Sequence, residues 1–345
     1  MKSKTLEPSL EEWKDLYEAA HEFMTIRPWT WMLDSDLFAV QNPQNGEIGY
    51  CCIMGELEQV FALAVYIGSE GLGGYMRMQS GEFEMDDPDL VYLQNCLMVS
   101  FEDRDSLEKE DLQTIKRIGL KFRGRNGWPQ FRSFLPGYAP WFLTNEEAQF
   151  LTVAIRQALD VASRFKRERN LLTPPEEDQI LVRVPVERDG QLEWKDTWMV
   201  PPPPGKKHAS EAKIDELLIE RIKRNSKRSQ GTWEIDSFYF PAPVAEGDRP
   251  YFPRTLVIAD HVMELILHTH LAHPENALQE LQGALLKFME VNGILPGQVL
   301  ISKEETKDLV EPITGRLGIK LKTVGKLKAA KAFKAEMVNQ FLFSK

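Results

Sequence analysis

The stretch that decides the fold is Arg254-Thr-Leu-Val-Ile-Ala-Asp260, followed at once by His261-Val-Met-Glu-Leu-Ile-Leu-His-Thr-His-Leu271. Two strand-like runs this close cannot be parallel neighbours, because a crossover takes about a dozen residues or more. They are expected to pair antiparallel. The period then changes: Ala277, Leu278, Leu281, Ala284, Leu285 and Phe288 recur at helical spacing, Gln298 to Ile301 and Ile319 to Val324 are short apolar runs, and a helix closes the sequence. With Trp233 to Phe240 as a strand in front, the order is three strands, helix, strand, helix, strand, helix. An α/β back domain with a mixed sheet follows, parallel only where helices intervene.

Working outward, 345 residues exceed what one core usually serves, so two domains are expected. Hydrophobic residues at 43% and charged residues at 27% are globular values, which excludes a mainly disordered or coiled-coil chain. No apolar run reaches the ~18–20 residues of a membrane helix, and Met1-Lys-Ser-Lys-Thr lacks an apolar signal region. A cytoplasmic protein without a membrane partner is the expectation. Cys51, Cys52 and Cys96 form neither a disulfide framework nor a zinc pattern, and read as small buried groups in a reducing compartment.

The net charge of −10 is uneven: residues 1–100 sum to −12, residues 101–180 to 0 and residues 181–345 to +2. Glu82, Glu84, Asp86, Asp87 and Asp89 crowd one acidic loop, read as a solvated face. An acidic whole argues against a protein whose main task is gripping nucleic acid.

The front half reads as α+β. Ser9 with Glu12 and Thr144 with Glu147 are capping boxes that open two amphipathic helices. Leu37 to Gln41, Ile48 to Met54, Gln59 to Ile67 and Asn95 to Phe101 are strand-like, and Leu107 to Ile118 is a helix closed by Gly119. Gly71, Gly73 and Gly74 lack the spacing of a phosphate-binding loop and read as a turn or helix entry. The polar segment Glu168 to Asp178, with Pro174-Pro175, is placed as the boundary between domains at 1–173 and 178–345. The second then opens with a hairpin, Ile180 to Val186 and Leu192 to Val200, turning at Asp189-Gly190, with Pro201 to Pro204 extended behind it. Ile214, Leu217, Leu218 and Ile222 form a helix that ends in Arg221, Lys223, Arg224, Lys227 and Arg228, a cationic end that suits the helix dipole.

The most unusual stretch is Lys121-Phe-Arg-Gly-Arg-Asn-Gly-Trp-Pro-Gln-Phe-Arg-Ser-Phe-Leu-Pro-Gly-Tyr-Ala-Pro-Trp141. Pro129, Pro136 and Pro140 forbid a continuous helix, so loop around a short strand is expected. Arg123, Arg125 and Arg132 alternate with aromatic residues, and guanidinium forks beside ring faces suit a planar anion. Arg123, Arg125, Trp128 and Arg132 are therefore the candidate ligand-binding residues. The structural alternative is that the rings fill the core and the arginines pair with carboxylates. No nucleophile and base stand together: Ser133 and Cys96 have no histidine nearby in sequence, and the front half's one histidine, His21, lies on the first helix.

The front half, with Pro28-Trp29, Trp31-Met32, Gly46-Glu-Ile-Gly-Tyr50 and the Phe122 to Trp141 run, resembles a bacterial domain of unknown function. The back half, with Pro253-Arg-Thr-Leu-Val-Ile-Ala-Asp260, Asn292-Gly293 and Leu317-Gly-Ile319, resembles a second such family that accompanies the first in tandem. Neither resemblance implies an activity. From about residue 232 to 345 the element order also resembles the ribonuclease H-like fold, whose enzymes hold two metals with carboxylates. Asp236 sits in the first strand, and Glu280 or Glu290 could serve from the helix. The fourth strand ends Leu300-Ile-Ser-Lys303 without an acid, and Ser302 with Glu305 reads as a capping box. His268 and His270 share one face of a strand with Glu264, an ordinary pattern that could also hold a metal.

Two classes remain. The first is a non-catalytic ligand-binding or interaction protein, with no catalytic residues, no metal and no cofactor, whose partner is a protein or a small anionic ligand. The alternative is a metal-dependent nuclease on the back domain, using Asp236, Glu280 and His268.

Overall fold

The computed structural model of the protein describes residues 7–80, 92–203 and 214–342, and the acidic run Glu82 to Asp89 and Pro204 lie outside that range. In chain order come α1 (Leu10–Ile26), β1 (Phe38–Gln41), β2 (Ile48–Met54), β3 (Ala62–Ile67), α2 (Gly68–Gln79), β4 (Cys96–Glu102), α3 (Lys109–Ile118), β5 (Trp128–Phe134) and α4 (Asn145–Arg167). A hairpin follows, β6 (Ile180–Arg188) and β7 (Gln191–Met199). The rest is α5 (Glu216–Asn225), β8 (Lys227–Arg228), β9 (Thr232–Tyr239), β10 (Arg254–Asp260), β11 (Ile266–Ala272), α6 (Ala277–Asn292), β12 (Ile294–Leu295), β13 (Gln298–Ile301), α7 (Glu304–Leu317), β14 (Lys320–Thr323) and α8 (Lys328–Leu342).

The front sheet has seven strands in the order β5-β4-β3-β2-β1-β6-β7. Strands β1 to β5 pair antiparallel in succession, and β6 joins β1 in parallel, Ala39 opposite Val182. Both faces are buried. Phe38, Val40, Cys51, Ile53, Leu63 and Val65 meet α1 and α4 through Leu16, Phe23, Leu151 and Ile155. The opposite face, with Tyr50, Cys52, Ala64, Tyr66 and Cys96, packs on Leu72 and Tyr75 of α2. Both expected capping boxes are formed, at Ser9 with Glu12 and at Thr144 with Glu147. The glycines after β3 lie inside α2, and a Cβ at Gly71 would come within 2.6 Å of the Asn95 carbonyl oxygen. Glycine there lets the helix lie directly on the strand ends.

Two features of the domain reading are corrected. The hairpin β6–β7, assigned by sequence to the second domain, completes the front sheet. Its Asp189-Gly190 turn has the positive φ values, 53° and 76°, of the expected tight turn, but β6 continues the sheet beyond β1 after the crossover helix α4. Arg183 of β6 ties it to α4: its guanidinium bonds Gln157 and Asp196 and lies 3.3 Å from Asp160, and Arg164 of α4 also holds Asp196. Pro174-Pro175 is thus a connection inside the front unit, which runs past the hairpin. Nor is the division a single cut, since residues 136–139 belong to the second unit. There the Ala139 N–H donates to the Pro250 carbonyl and the Phe252 N–H to the Gly137 carbonyl, at 3.0 and 2.8 Å.

The back sheet has five strands in the order β11-β10-β9-β13-β14. Strand β10 is antiparallel to β9 and β11, while β13 is parallel to β9 and β14, the mixed sheet the sequence predicts. Trp233, Ile235, Leu256, Ile258, Val299 and Ile301 face α5, α6 and α7. The other face is covered by α8 through Phe238, Val257, Leu300, Leu327 and Ala330. One strand departs from simple alternation. The register slips between Ile258 and Ala259, so Leu267 is an extra residue in β11. Such a bulge reverses the alternation of side chains along the strand. Leu267 and His268 consequently both reach the α6 side.

Candidate functional site

The segment between α3 and β5 carries three exposed cations, Lys121, Arg123 and Arg125, within five residues. Its course is fixed by backbone geometry. Gly119 ends α3 at φ 74°, Gly124 stands at φ 90° and Asn126 at φ 51°, and the Asn126 N–H donates to Asp103 Oδ1 at 2.8 Å. A Cβ at Gly127 would lie 2.4 Å from the Arg123 carbonyl oxygen, so the turn closes only with glycine there. Phe122 is driven inward, with its ring 5.7 Å from Tyr17, 5.9 Å from His21 and 6.2 Å from Trp128.

Beside this turn lies a cleft of about 550 Å³, lined by Glu18, His21, Glu22, Thr25 and Ile26 of α1 and by Leu120, Lys121 and Phe122. A second, about 330 Å³, is bounded by Glu22 and Ile26 together with Arg156, Leu159, Asp160 and Ser163 of α4. Helix α1 is thus a ridge with a hollow on each flank. The sequence reading missed this contribution, although Glu18, Glu22 and Thr25 fall at the helical spacing of one outward face.

The four candidate ligand residues do not converge. Arg132 is a structural residue: it is 7% exposed, and its guanidinium forks onto both oxygens of Asp111 at 2.9 and 2.8 Å. It also donates to Glu108 Oε1 at 3.1 Å and lies over the Phe142 ring at 4.8 Å. Asp111 and Glu108 hold the Arg132 charge so firmly that its pKa is raised despite burial. Trp128 is half-buried behind the turn with the Arg104 guanidinium 5.8 Å from its ring. The run from Phe122 to Trp141 is built around β5, an edge strand that tolerates Pro129, and its 136–139 portion belongs to the other unit. Only Arg123 and Arg125 keep the exposed position a ligand would need.

In the back domain the carboxylates of the central strand are engaged internally. Glu234 is fully buried and accepts from the Lys328 and Ala330 N–H groups, both at 3.1 Å, so it caps α8 from the neighbouring strand. His261 Nδ1 sits 2.6 Å from the same carboxylate. Asp236 Oδ1 accepts from the Ser237 N–H at 2.9 Å and Thr306 Oγ1 at 3.3 Å, with Lys303 Nζ at 3.8 Å. Burial raises the Asp236 pKa, partly offset by Lys303 and the Ser237 amide. The expected Ser302–Glu305 capping box is not formed. Helix α7 is capped at Lys303, and Glu305 instead pairs with Arg254 at 2.9 Å.

His268 stacks on Phe288 at 5.0 Å and 14°, and its ring runs nearly parallel to that of His270, 6.5 Å away. Burial, with His270 beside it, lowers the His268 pKa. Rings stacked in this way do not converge on a common ion, and among the described residues no three of His, Cys, Asp or Glu gather to hold a metal. Cys51, Cys52 and Cys96 are buried free thiols, and burial pushes Cys52 up to about 12. No described helix is long and apolar enough to cross a membrane.

A family model for a domain of unknown function (DUF7309) matches residues 13–183, and one for a second domain of unknown function (DUF6930) matches residues 218–338. The chain is a tandem of these two domains. No match is found among curated proteins. The DUF7309 match takes in α1 from Trp13 onward, the turn at Lys121 to Gly127 and the Arg132 pair. The DUF6930 match takes in Glu234, Asp236 and the whole five-stranded sheet.

Proposed function

We propose that the protein is a non-catalytic binding protein whose DUF7309 domain receives an anionic ligand at the turn Lys121 to Gly127. The observation that carries this is the fixed course of that turn: glycine and left-handed conformations present Lys121, Arg123 and Arg125 to solvent beside a cleft floored by Ile26, Leu120 and Phe122. A backbone whose course is already fixed loses less freedom on binding than a mobile loop does. A ligand with an apolar body and an anionic end fits this arrangement, its body against Phe122 and its charge toward the arginines. Octanoate and octyl phosphate are suitable probes for calorimetric titration. Binding weakened at least tenfold in Arg123→Ala/Arg125→Ala supports the reading. No heat with either probe, or unchanged affinity in the double variant, refutes it.

A second reading, metal-dependent phosphodiester cleavage on the DUF6930 domain, draws support from the order β11-β10-β9-β13-β14, which sets Asp236 in the central strand as a ribonuclease H-like core would. Two observations weigh against it. Asp236 and Glu234 already hold internal partners, and α6, which carries Glu280, packs on the Trp233 and Ile235 face of β9, opposite Asp236. A melting-temperature shift with manganese that Asp236→Asn abolishes would favour this second reading.

A further inference from the structure

The DUF6930 domain holds a second, independent charge feature. From Pro312 to Ala335 the sequence has seven Lys and Arg and no Asp or Glu. Lys320 and Lys322 alternate with Leu321 on β14, so they project from one face, Cα atoms ~6.6 Å apart. Lys326 follows in the turn and Lys331 on the outer side of α8, and all four are exposed. None of the four takes part in an ion pair among the described residues. Arg228 adds a fifth exposed charge: its guanidinium donates to the Leu317 and Gly318 carbonyls at 2.6 and 3.1 Å, which sets it beside the start of β14 without neutralising it.

Lysine on an edge strand commonly serves to block pairing with another sheet. That account does not reach the whole feature. The opposite edge of the same sheet, β11, carries no Lys or Arg from Leu265 to His273 and leaves Leu265, Ile266 and Leu271 exposed, so charge is not a general guard of this sheet's edges. The cations also continue past β14 into the turn and α8. No Asp or Glu interrupts the run from Pro312 to Ala335, so a partner at the strip meets local positive charge.

We propose that this strip, Arg228, Lys320, Lys322, Lys326 and Lys331, binds the phosphate backbone of a nucleic-acid duplex without reading its sequence. Lysine ammonium groups act as point charges on separate phosphates. Between Leu317 and Ala335 the one aromatic, Phe333, packs against the core beneath α8 and offers no free ring on which an unpaired base could stack, which favours a duplex over a single strand. Their flexible stems and lack of acceptors give contact to backbone and not to base edges.

The test is fluorescence anisotropy of the full chain with a labelled duplex of about 20 base pairs of arbitrary sequence, titrated between about 50 and 200 mM salt. Five phosphate contacts predict about a 500-fold loss of affinity across that range, a log–log slope of about −0.9 per contact, and indifference to sequence. Lys320→Glu/Lys322→Glu/Lys326→Glu should abolish binding. The corresponding triple glutamine variant should flatten the slope by about 0.9 for each lysine removed, and triple arginine should restore it. Thermal melts of all three should match the parent, since the positions are exposed. No anisotropy change at about 50 mM salt, or unaltered binding and slope in both the glutamate and glutamine variants, overturns the proposal. Polyglutamate displacing the duplex at equal charge concentration would also overturn it, in favour of an acidic protein partner.

Discussion

Arg132 and Lys322 both stand on edge strands, β5 of the seven-stranded sheet and β14 of the five-stranded one, and their side chains meet opposite fates. Arg132 is covered because α3 lies beside its strand and brings Asp111 and Glu108, themselves a capping box for that helix, onto the guanidinium. Lys322 has only Leu300 opposite it in the sheet and faces water. An edge position therefore does not decide exposure. What decides it is whether the neighbouring helix carries an acid at the matching level. The front domain repeats the inward use at Arg164 and Arg183, whose planar forks suit shared carboxylates, whereas the cations of β14 are flexible lysines.

The contrast is tested most severely at Arg132. Replacing it with alanine strands Asp111, which is as buried as its partner, and should lower unfolding free energy by about 3–5 kcal/mol in urea melts. A loss below about 0.5 kcal/mol, typical of exposed sites, would place Arg132 with the surface cations after all. Next in size is Glu234→Gln. The amide retains one acceptor oxygen for the two N–H groups at the start of α8, and should cost about 1–2 kcal/mol, seen as a lowered melting temperature and faster amide exchange in α8. Unchanged exchange there would show that Glu234 does not anchor the helix.

A smaller effect of opposite sign is expected at Asp236. Its pKa is raised in the folded state, chiefly by burial, so the native protein holds that proton more tightly than the unfolded chain does. This contribution to stability is fully present below the ordinary carboxylate range and is lost as pH rises through the folded-state value. Asp236→Asn should therefore leave stability unchanged near pH 3 and match or exceed the parent near pH 7. If the variant were instead much less stable at neutral pH, the bonds from Thr306 and the Lys303 charge would outweigh burial.

The arrangement of the back sheet was legible in the sequence because its cause is local: the short gap between Asp260 and Met263 allows only an antiparallel pair, and periodicity marks the helices. The parity of β11 was not, since the bulge at Leu267 shows itself only against β10. The hairpin β6–β7 was recognisable through Asp189-Gly190, yet its place beside β1 depends on a parallel pairing across some 140 residues of sequence, for which no local signal exists. At the site, the arginines stood out by composition. Whether each meets a carboxylate is a matter of tertiary placement: Arg132 and Asp111 are 21 residues apart and join only because α3 docks beside β5. The part played by α1 was hidden for a related reason, as a polar helix face has the same pattern whether it borders a cleft or open water.

The finest division the comparison makes lies within one run of sequence. Arg125 and Arg132 are seven positions apart, one on the turn and one on the strand. Arg125→Ala should change unfolding free energy by no more than about 0.5 kcal/mol, the range for exposed substitutions, because no buried partner is left behind. The same change should weaken octyl phosphate binding several-fold while Lys322→Ala, equally exposed but on the other domain, leaves it untouched. Measured side by side, the two variants separate a local contact from a general loss of positive charge. If both weaken binding equally, the ligand responds to the protein's overall field, and the turn at Lys121 to Gly127 has no special part. If Arg125→Ala destabilises as Arg132→Ala does, the turn is scaffold like the strand it precedes, for the glycine at 127 would then be holding the arginine in place for folding and not for a ligand.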